Sequence, residues 1–256
     1  MPPKRDILQA RWLSPVVLLI LWELASRAGI IPDRVLAAPS SVLRSLLAMT
    51  ASGELPLNLI ISLRRAALGF AIGTGLGVGL ALVAGLWRRG DALIDPLVQI
   101  KRTLPVVALT PLFIIWFGIG ETTKIALIAF ASLLPVYINL YQGIRGIDVR
   151  LVDAARSFGL GRGALVAHVI LPGALPSLLT GLRYSLSVSV LMLVIAEQVN
   201  ASAGLGFLIL NARDAMRTDI IVVCLMVYAL LGLAGDSLIR AIETRALAWR
   251  PTFVEA

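Results

Sequence analysis

Residues 66–87 contain no charged side chain, and this 22-residue run decides the solvent in which the chain folds. At 1.5 Å of rise per residue, a helix of that length covers the roughly 30 Å hydrocarbon layer of a bilayer. Residues 125–144 form a second uncharged run, and residues 103–120 a third that carries Pro105 and Pro111. Shorter uncharged stretches at 12–22, 184–196 and 220–235 reach spanning length by accepting polar residues near their ends. About six transmembrane helices are expected, in an all-α integral membrane protein. Adding the 22 glycines to the 58% hydrophobic content makes about two-thirds of the 256 residues apolar, against roughly half in a soluble domain. A soluble domain of this size still leaves much of its surface in water, so a soluble enzyme is a poor fit. Residues 163–182 are also apolar, but Pro172, Gly173, Pro176 and Gly181 interrupt them. They read as a membrane-entry loop leading into the fifth helix.

The net charge of +8 would suggest nucleic acid in a polar protein. Here its distribution carries more information than its sum. With the N-terminus inside, fourteen Lys and Arg fall on the cytoplasmic side: the N-terminal Lys4, Arg5 and Arg11, the groups at 88–102 and 145–162, and Arg240, Arg245 and Arg250. Eight fall outside and Arg183 lies within a helix. That bias predicts both termini in the cytoplasm and no nucleic-acid partner. The basic start followed by an apolar stretch shares features with a signal peptide. Because the remainder is itself membrane-integral, a retained first helix is expected, with Glu23 near the outer interface.

No G-x-x-x-x-G-K-[ST] phosphate loop occurs, and no glycine is followed by lysine, so the chain is not expected to hydrolyse nucleotide by itself. Nor is there a Ser-His-Asp set, a Cys-His pair or H-E-x-x-H, and a membrane enzyme has little behind it. Gly69, Gly73 and Gly77 recur every four residues, on one helix face, where missing side chains allow close helix contact. Cys224 and His168 are single residues of their kind. Cys224 reads as a small buried hydrophobe and His168 as a loop-packing residue, with no metal site expected.

Residues 146–172 read G-I-D-V-R-L-V-D-A-A-R-S-F-G-L-G-R-G-A-L-V-A-H-V-I-L-P. Asp148 is suited to cap a short helix, and Gly159 to end it in a left-handed conformation. Between them Arg150, Asp153 and Arg156 recur every three residues, while Leu151, Ala155 and Phe158 follow an i, i+4, i+7 stripe. A helix of about ten residues is too short to span. It is expected to lie along the cytoplasmic membrane face, offering both charges and a hydrophobic edge.

Here the chain resembles the inner-membrane permeases of binding-protein-dependent ABC importers. Their shared loop reads E-A-A, three residues, Gly, nine residues, I-x-L-P. This sequence has Asp153-Ala154-Ala155, Gly159 and Val169-Ile170-Leu171-Pro172 at the matching spacing, with Asp for Glu and Val for Ile. The likeness extends over nearly the whole chain and is strongest to permeases for aliphatic sulfonates, with taurine, nitrate and bicarbonate relatives nearby. Matching stretches include Ser62-Leu63-Arg64-Arg65-Ala66, residues 112–118 (L-F-I-I-W-F-G), residues 170–176 (I-L-P-G-A-L-P), Ala196-Glu197 and Asn211-Ala212-Arg213.

The resemblance implies a type I ABC importer permease fold whose cytoplasmic coupling helix docks in a groove of the ATP-binding subunit. It assigns that contact to Asp153, Ala154, Ala155, Arg156, Phe158, Gly159 and Leu160, with Leu171 and Pro172 supporting the loop. It further implies pairing with a second copy, two ATP-binding subunits, a periplasmic substrate-binding protein and surrounding membrane lipid. No cofactor is expected on this chain; ATP and Mg belong to the partner ATPase. The expected location is the bacterial inner membrane. Residues 1–59 are expected to hold the first helix and outer loop, 60–245 the transmembrane domain, and 246–256 a cytoplasmic tail. A stand-alone secondary transporter is the competing class, and taurine, nitrate or bicarbonate the competing substrates.

Arg183 and Glu197 are fourteen residues apart, about 21 Å along a helix, and differ by only about 40° in direction. Ser187 lies on the same face. Two readings stay open: a polar translocation face where Arg183 meets a sulfonate, or an Arg183 that snorkels to the cytoplasmic surface while Glu197 reaches the outer one. Tyr137, Asn139, Tyr141 and Gln142 put polar atoms in the fourth span, facing another helix or the pore.

Overall fold

The computed structural model describes residues 4–199 and 201–249, with side chains from residue 13 onward. Among the described residues there are helices and no strand. In chain order they are α1 (Lys4–Arg27), α2 (Pro39–Ala51), α3 (Glu54–Leu86), α4 (Arg88–Thr103), α5 (Thr110–Phe117), α6 (Glu121–Arg145), α7 (Val149–Ser157), α8 (Arg162–Leu165), α9 (Leu171–Gln198), α10 (Leu205–Asp214) and α11 (Thr218–Ala246). Four helical runs are long and apolar enough to cross a membrane: α3, α6, Arg162–Gln198 and α11, with mean hydropathy of 1.6 to 2.1. A bent pair, α4 with the segment Val106–Phe117, makes up to five.

Six spans were expected, and the difference has two sources. The first expected span lies in the 24-residue α1, which begins among residues whose side chains are not described and so falls outside that count. The third is not one rod. Leu104 is extended (φ −86°, ψ 122°), as the residue before a proline is driven to be, and the helices on either side turn by 93°. A single 3₁₀ turn, Val106–Leu109, leads into the eight-residue α5, which stops at Gly118.

The expected entry loop at residues 163–182 is instead helical throughout, part of the 37-residue run Arg162–Gln198. Pro172 is accommodated because it stands in the first turn of α9, after one wide turn, Val166–Ile170, in which the Leu171 N–H reaches back five residues to the Val166 carbonyl. Pro176 is carried inside α9. His168 lies in the wide turn, exposed, with Nδ1 3.0 Å from the Ala164 carbonyl, so it does not pack a loop.

The described chain divides into two compact units, residues 1–62 with 201–229 and residues 63–200 with 230–256. Side-chain caps tie the first unit together. Glu23 accepts from the Ser40 backbone N–H at 3.0 Å and from Ser40 Oγ at 2.7 Å, satisfying the start of α2. Asn58 Oδ1 accepts from the Gly204 N–H and Ser62 Oγ from the Leu205 N–H, closing the N-terminus of α10. In the second unit α6 is the central helix, its apolar window more buried than that of any other span. The glycine face of α3 lies against it as the four-residue spacing predicts: a Cβ on Gly77 would stand 2.6 Å from the Leu133 carbonyl oxygen, while Gly79 faces open space. Cys224 is buried.

Candidate functional site

The segment from Ile147 to Leu160 is shaped by its own backbone. Asp148 Oδ1 accepts from the Arg150 N–H at 2.9 Å and starts α7. At the other end Gly159 takes φ 81°, the Gly159 N–H bonds the Arg156 carbonyl and the Leu160 N–H bonds the Ala155 carbonyl. These two bonds make a Schellman ending, which a residue with a Cβ adopts only under strain. Nine residues rise about 13 Å, too short to span.

What α7 presents matters more than what it buries, for it buries nothing. Leu151 is 59% and Phe158 85% exposed, so the apolar stripe has no partner within this chain apart from the half-buried Ala155. Asp153 and Arg156 stand 3.8 Å apart, both largely exposed, a pair worth little to stability. Ala154 is exposed and Leu160 half-buried. Phe158 is thus a fully presented aromatic ring at the end of a short helix capped at both ends. Leu171 and Pro172 stand in the first turn of α9, and neighbouring Gly173 packs so closely on Ile147 that an added Cβ would lie 2.5 Å from its Cδ1. The residue just before the α7 cap thus packs on the start of α9.

Several polar residues of the spans have partners within the chain. Arg183 Nε lies 2.9 Å from Asp236, and its Nη2 donates to Glu243 at 2.9 Å, both carboxylates on α11. Ser187 Oγ donates to the Arg183 carbonyl, and Asn139 Nδ2 to the Pro135 carbonyl, each within its own helix. Tyr137 and Tyr141 stack at 5.7 Å and donate to Asp95 and Asp91 of α4, helix-to-helix bonding. Glu197 does not reach an outer surface. It is fully buried, and Arg65 Nη1 stands 2.7 Å from it.

Arg65, which stands out in the sequence only as part of the stretch Ser62-Leu63-Arg64-Arg65-Ala66, is a buried charge. It is 2% exposed, and its Nε and Nη2 also grip Glu121 at 2.7 and 2.6 Å, while Lys124 meets Glu121 at 3.2 Å. One guanidinium thus joins the α3, α6 and α9 helices. The available signal was the charge standing directly before an uncharged span, where only a desolvated partner makes it affordable.

Residues 73–247 match the family described as binding-protein-dependent transport system inner membrane component. The chain is 45% identical over 253 residues to the aliphatic sulfonates transport permease protein SsuC of Escherichia coli strain K12, covering 98% of this chain and 96% of that protein. To the protein of the same name in Bacillus subtilis strain 168 it is 39% identical, over 94% of this chain and 87% of that one. The taurine transport system permease protein TauC of E. coli is 34% identical over 91% and 86%. Among solved structures, a crystal structure of an amino acid ABC transporter with histidines aligns with a TM-score of 0.62 at 21% identity, covering 78% of this chain and 97% of that one, and so shares the fold.

Proposed function

The chain belongs to the inner-membrane components of binding-protein-dependent transport systems, and from that premise we propose that it is the permease subunit of an ATP-driven importer for aliphatic sulfonates. The observation that carries the substrate is the 45% identity, over nearly the full length of both chains, to a permease named for aliphatic sulfonates. Taurine, itself a sulfonate, is the neighbouring reading, and the identity to TauC is lower.

In this reading the chain does no chemistry. ATP and Mg are held by two separate ATPase subunits, each docking on α7 of one copy of this chain, and two copies enclose the path. Phe158 and Leu151 supply the apolar contact, Asp153 and Arg156 the polar rim, and Ala154, Ala155, Gly159 and Leu160 the close-packed end, with Leu171 and Pro172 as the base. Both termini lie in the cytoplasm, where most basic loops fall. A periplasmic binding protein delivers the solute. Closure of the ATPase dimer pushes the α7 helices together and opens the path outward.

Of the four polar residues for which a place along the path is one open reading, Arg183 and Glu197 act with their charges already held by carboxylate and guanidinium partners. A passing sulfonate has to compete with Asp236 and Glu243 for Arg183. Ser187 and Asn139 present smaller polar surfaces beside it.

The test is reconstitution of the chain with its ATPase and binding protein in proteoliposomes. ATP-dependent uptake of an alkanesulfonate, competed by other sulfonates and not by nitrate or bicarbonate, is the expected result. Uptake driven by an ion gradient with the ATPase absent would overturn the importer class, and preference for nitrate or bicarbonate the substrate.

A further inference from the structure

Five arginines, Arg88, Arg89, Arg145, Arg156 and Arg162, line one open cleft of about 800 Å³ in the second unit. Carboxylates approach only two of them. Arg145 is 3.7 Å from Asp91, and Arg156 is 3.8 Å from Asp153. Arg88, Arg89 and Arg162 have no ion-pair partner among the described residues. Like charges gathered beside apolar walls repel one another more strongly than in bulk water, so the cleft favours an anion.

The depth of the cleft identifies the ambient anion. Arg88 and Arg89 follow directly on the uncharged run 66–87, Arg145 is the last residue of α6, and Arg162 is the first of the 37-residue helical run. The rest of the lining comes from inside those spans, with Leu86, Ile144, Leu165 and Ile170 making an apolar wall. Between wall and charges stands Trp87, 55% exposed, and indoles gather at the level of lipid headgroups. Three apolar spans therefore end together at the boundary of the hydrocarbon, and at that level the concentrated anion is lipid phosphate.

We propose that this cleft is a binding site for an anionic phospholipid, whose phosphate is held by Arg88, Arg89 and Arg162 and whose acyl-glycerol portion lies on the Leu86 and Ile170 wall. Guanidinium forks suit phosphate oxygens, and basic pockets between spans on the cytoplasmic side are suited to such headgroups. The inference rests on placement in the membrane and not on the sulfonate reading. Failure of sulfonate uptake leaves it standing, and loss of lipid binding leaves the substrate assignment untouched.

The full-length permease, assembled with its ATPase subunit, is placed in phosphatidylcholine nanodiscs with graded phosphatidylglycerol, and retained lipid is counted by native mass spectrometry. One basic residue near an anionic lipid is worth roughly fivefold in affinity, so the triple variant Arg88→Gln/Arg89→Gln/Arg162→Gln is expected to bind phosphatidylglycerol about 100-fold more weakly. Replacing the same three by Lys restores most of it, and Arg240→Gln/Arg245→Gln, outside the cleft, changes nothing. Should the triple variant not assemble, the single changes Arg89→Gln and Arg162→Gln are each expected to weaken binding about fivefold. Equal retention by wild type and glutamine variants overturns the proposal. So does equal occupancy by inorganic phosphate in lipid-free detergent, which makes the site one for free anions. Loss of the ATPase subunit from the glutamine variants in pure phosphatidylcholine also overturns it, by assigning the cleft to carboxylates of that subunit.

Discussion

Glu197 has no exposed surface, yet its Oε1 lies 2.7 Å from Nη1 of Arg65, a guanidinium 132 residues earlier in the chain. Because Arg65 also grips Glu121, removing it takes the guanidinium from one fully buried carboxylate and from a second, partly exposed one. Breaking a buried pair from one side costs about 3–5 kcal/mol. Arg65→Gln is therefore expected to lower the thermal unfolding midpoint of the purified permease by about 10 °C, at roughly 2–4 °C per kcal/mol for a chain of this size. Arg65→Gln/Glu197→Gln should be less destabilised than the sum of the two single variants. Strict additivity in that cycle contradicts a direct coupling.

The close approach of α3 to α6 predicts a contrast between two glycines on one helix. Gly77→Leu drives a side chain into the Leu133 carbonyl and should cost about 1–3 kcal/mol. Gly79→Leu enters open space and should stay within about 0.5 kcal/mol of wild type. Equal effects in detergent unfolding would show that the two helices separate in solution.

Changes at the end of α7 should separate stability from coupling. Phe158→Ala removes a side chain that is 85% exposed, so the isolated permease should unfold within about 0.5 kcal/mol of wild type. If Phe158 is the docking knob, attachment of the ATPase subunit should weaken by more than about 2 kcal/mol, measured by titration of the purified subunits. Gly159→Val forces a β-branched residue to φ 81° and should abolish ATP-driven uptake, whereas Gly159→Asn, which tolerates that conformation better, should retain part of it.

Arg183 faces two carboxylates of α11, and the two roles open to it differ in what rescues its loss. If it is an anchor, Arg183→Gln lowers stability and uptake together, and adding Glu243→Gln restores both in part. A role toward solute predicts instead a raised KM for uptake that Glu243→Gln does not repair. The readout is uptake kinetics in proteoliposomes beside the unfolding midpoint.

Much of this was legible in the sequence. Uncharged runs such as 66–87 and 125–144 name their solvent, because a helix in hydrocarbon satisfies its own backbone and needs only length and apolar side chains. The caps of α7 were legible for the same local reason: Asp148 and Gly159 act on backbone groups a few residues away. The four-residue glycine spacing named a contact face, though not the helix that fills it.

The misreadings arose where local rules meet a longer element. Pro172 and Pro176 looked like breaks, but Pro172 stands in the first turn of α9 after one wide turn, and Pro176 is carried inside that helix. The third uncharged run, which carries Pro105, proved to turn by 93°. Charges were hardest of all. Whether Arg65, Arg183 or Glu197 faces lipid, solute or a counter-charge depends on which helix lies opposite. The sequence by itself determined the solvent, the helical class and the short capped helix α7, since these follow from local spacing and transfer free energy. Only the tertiary structure decided how the buried charges are partnered and that four arginines at span ends meet Arg156 of α7 in one cleft, because those pairings join residues far apart in the chain.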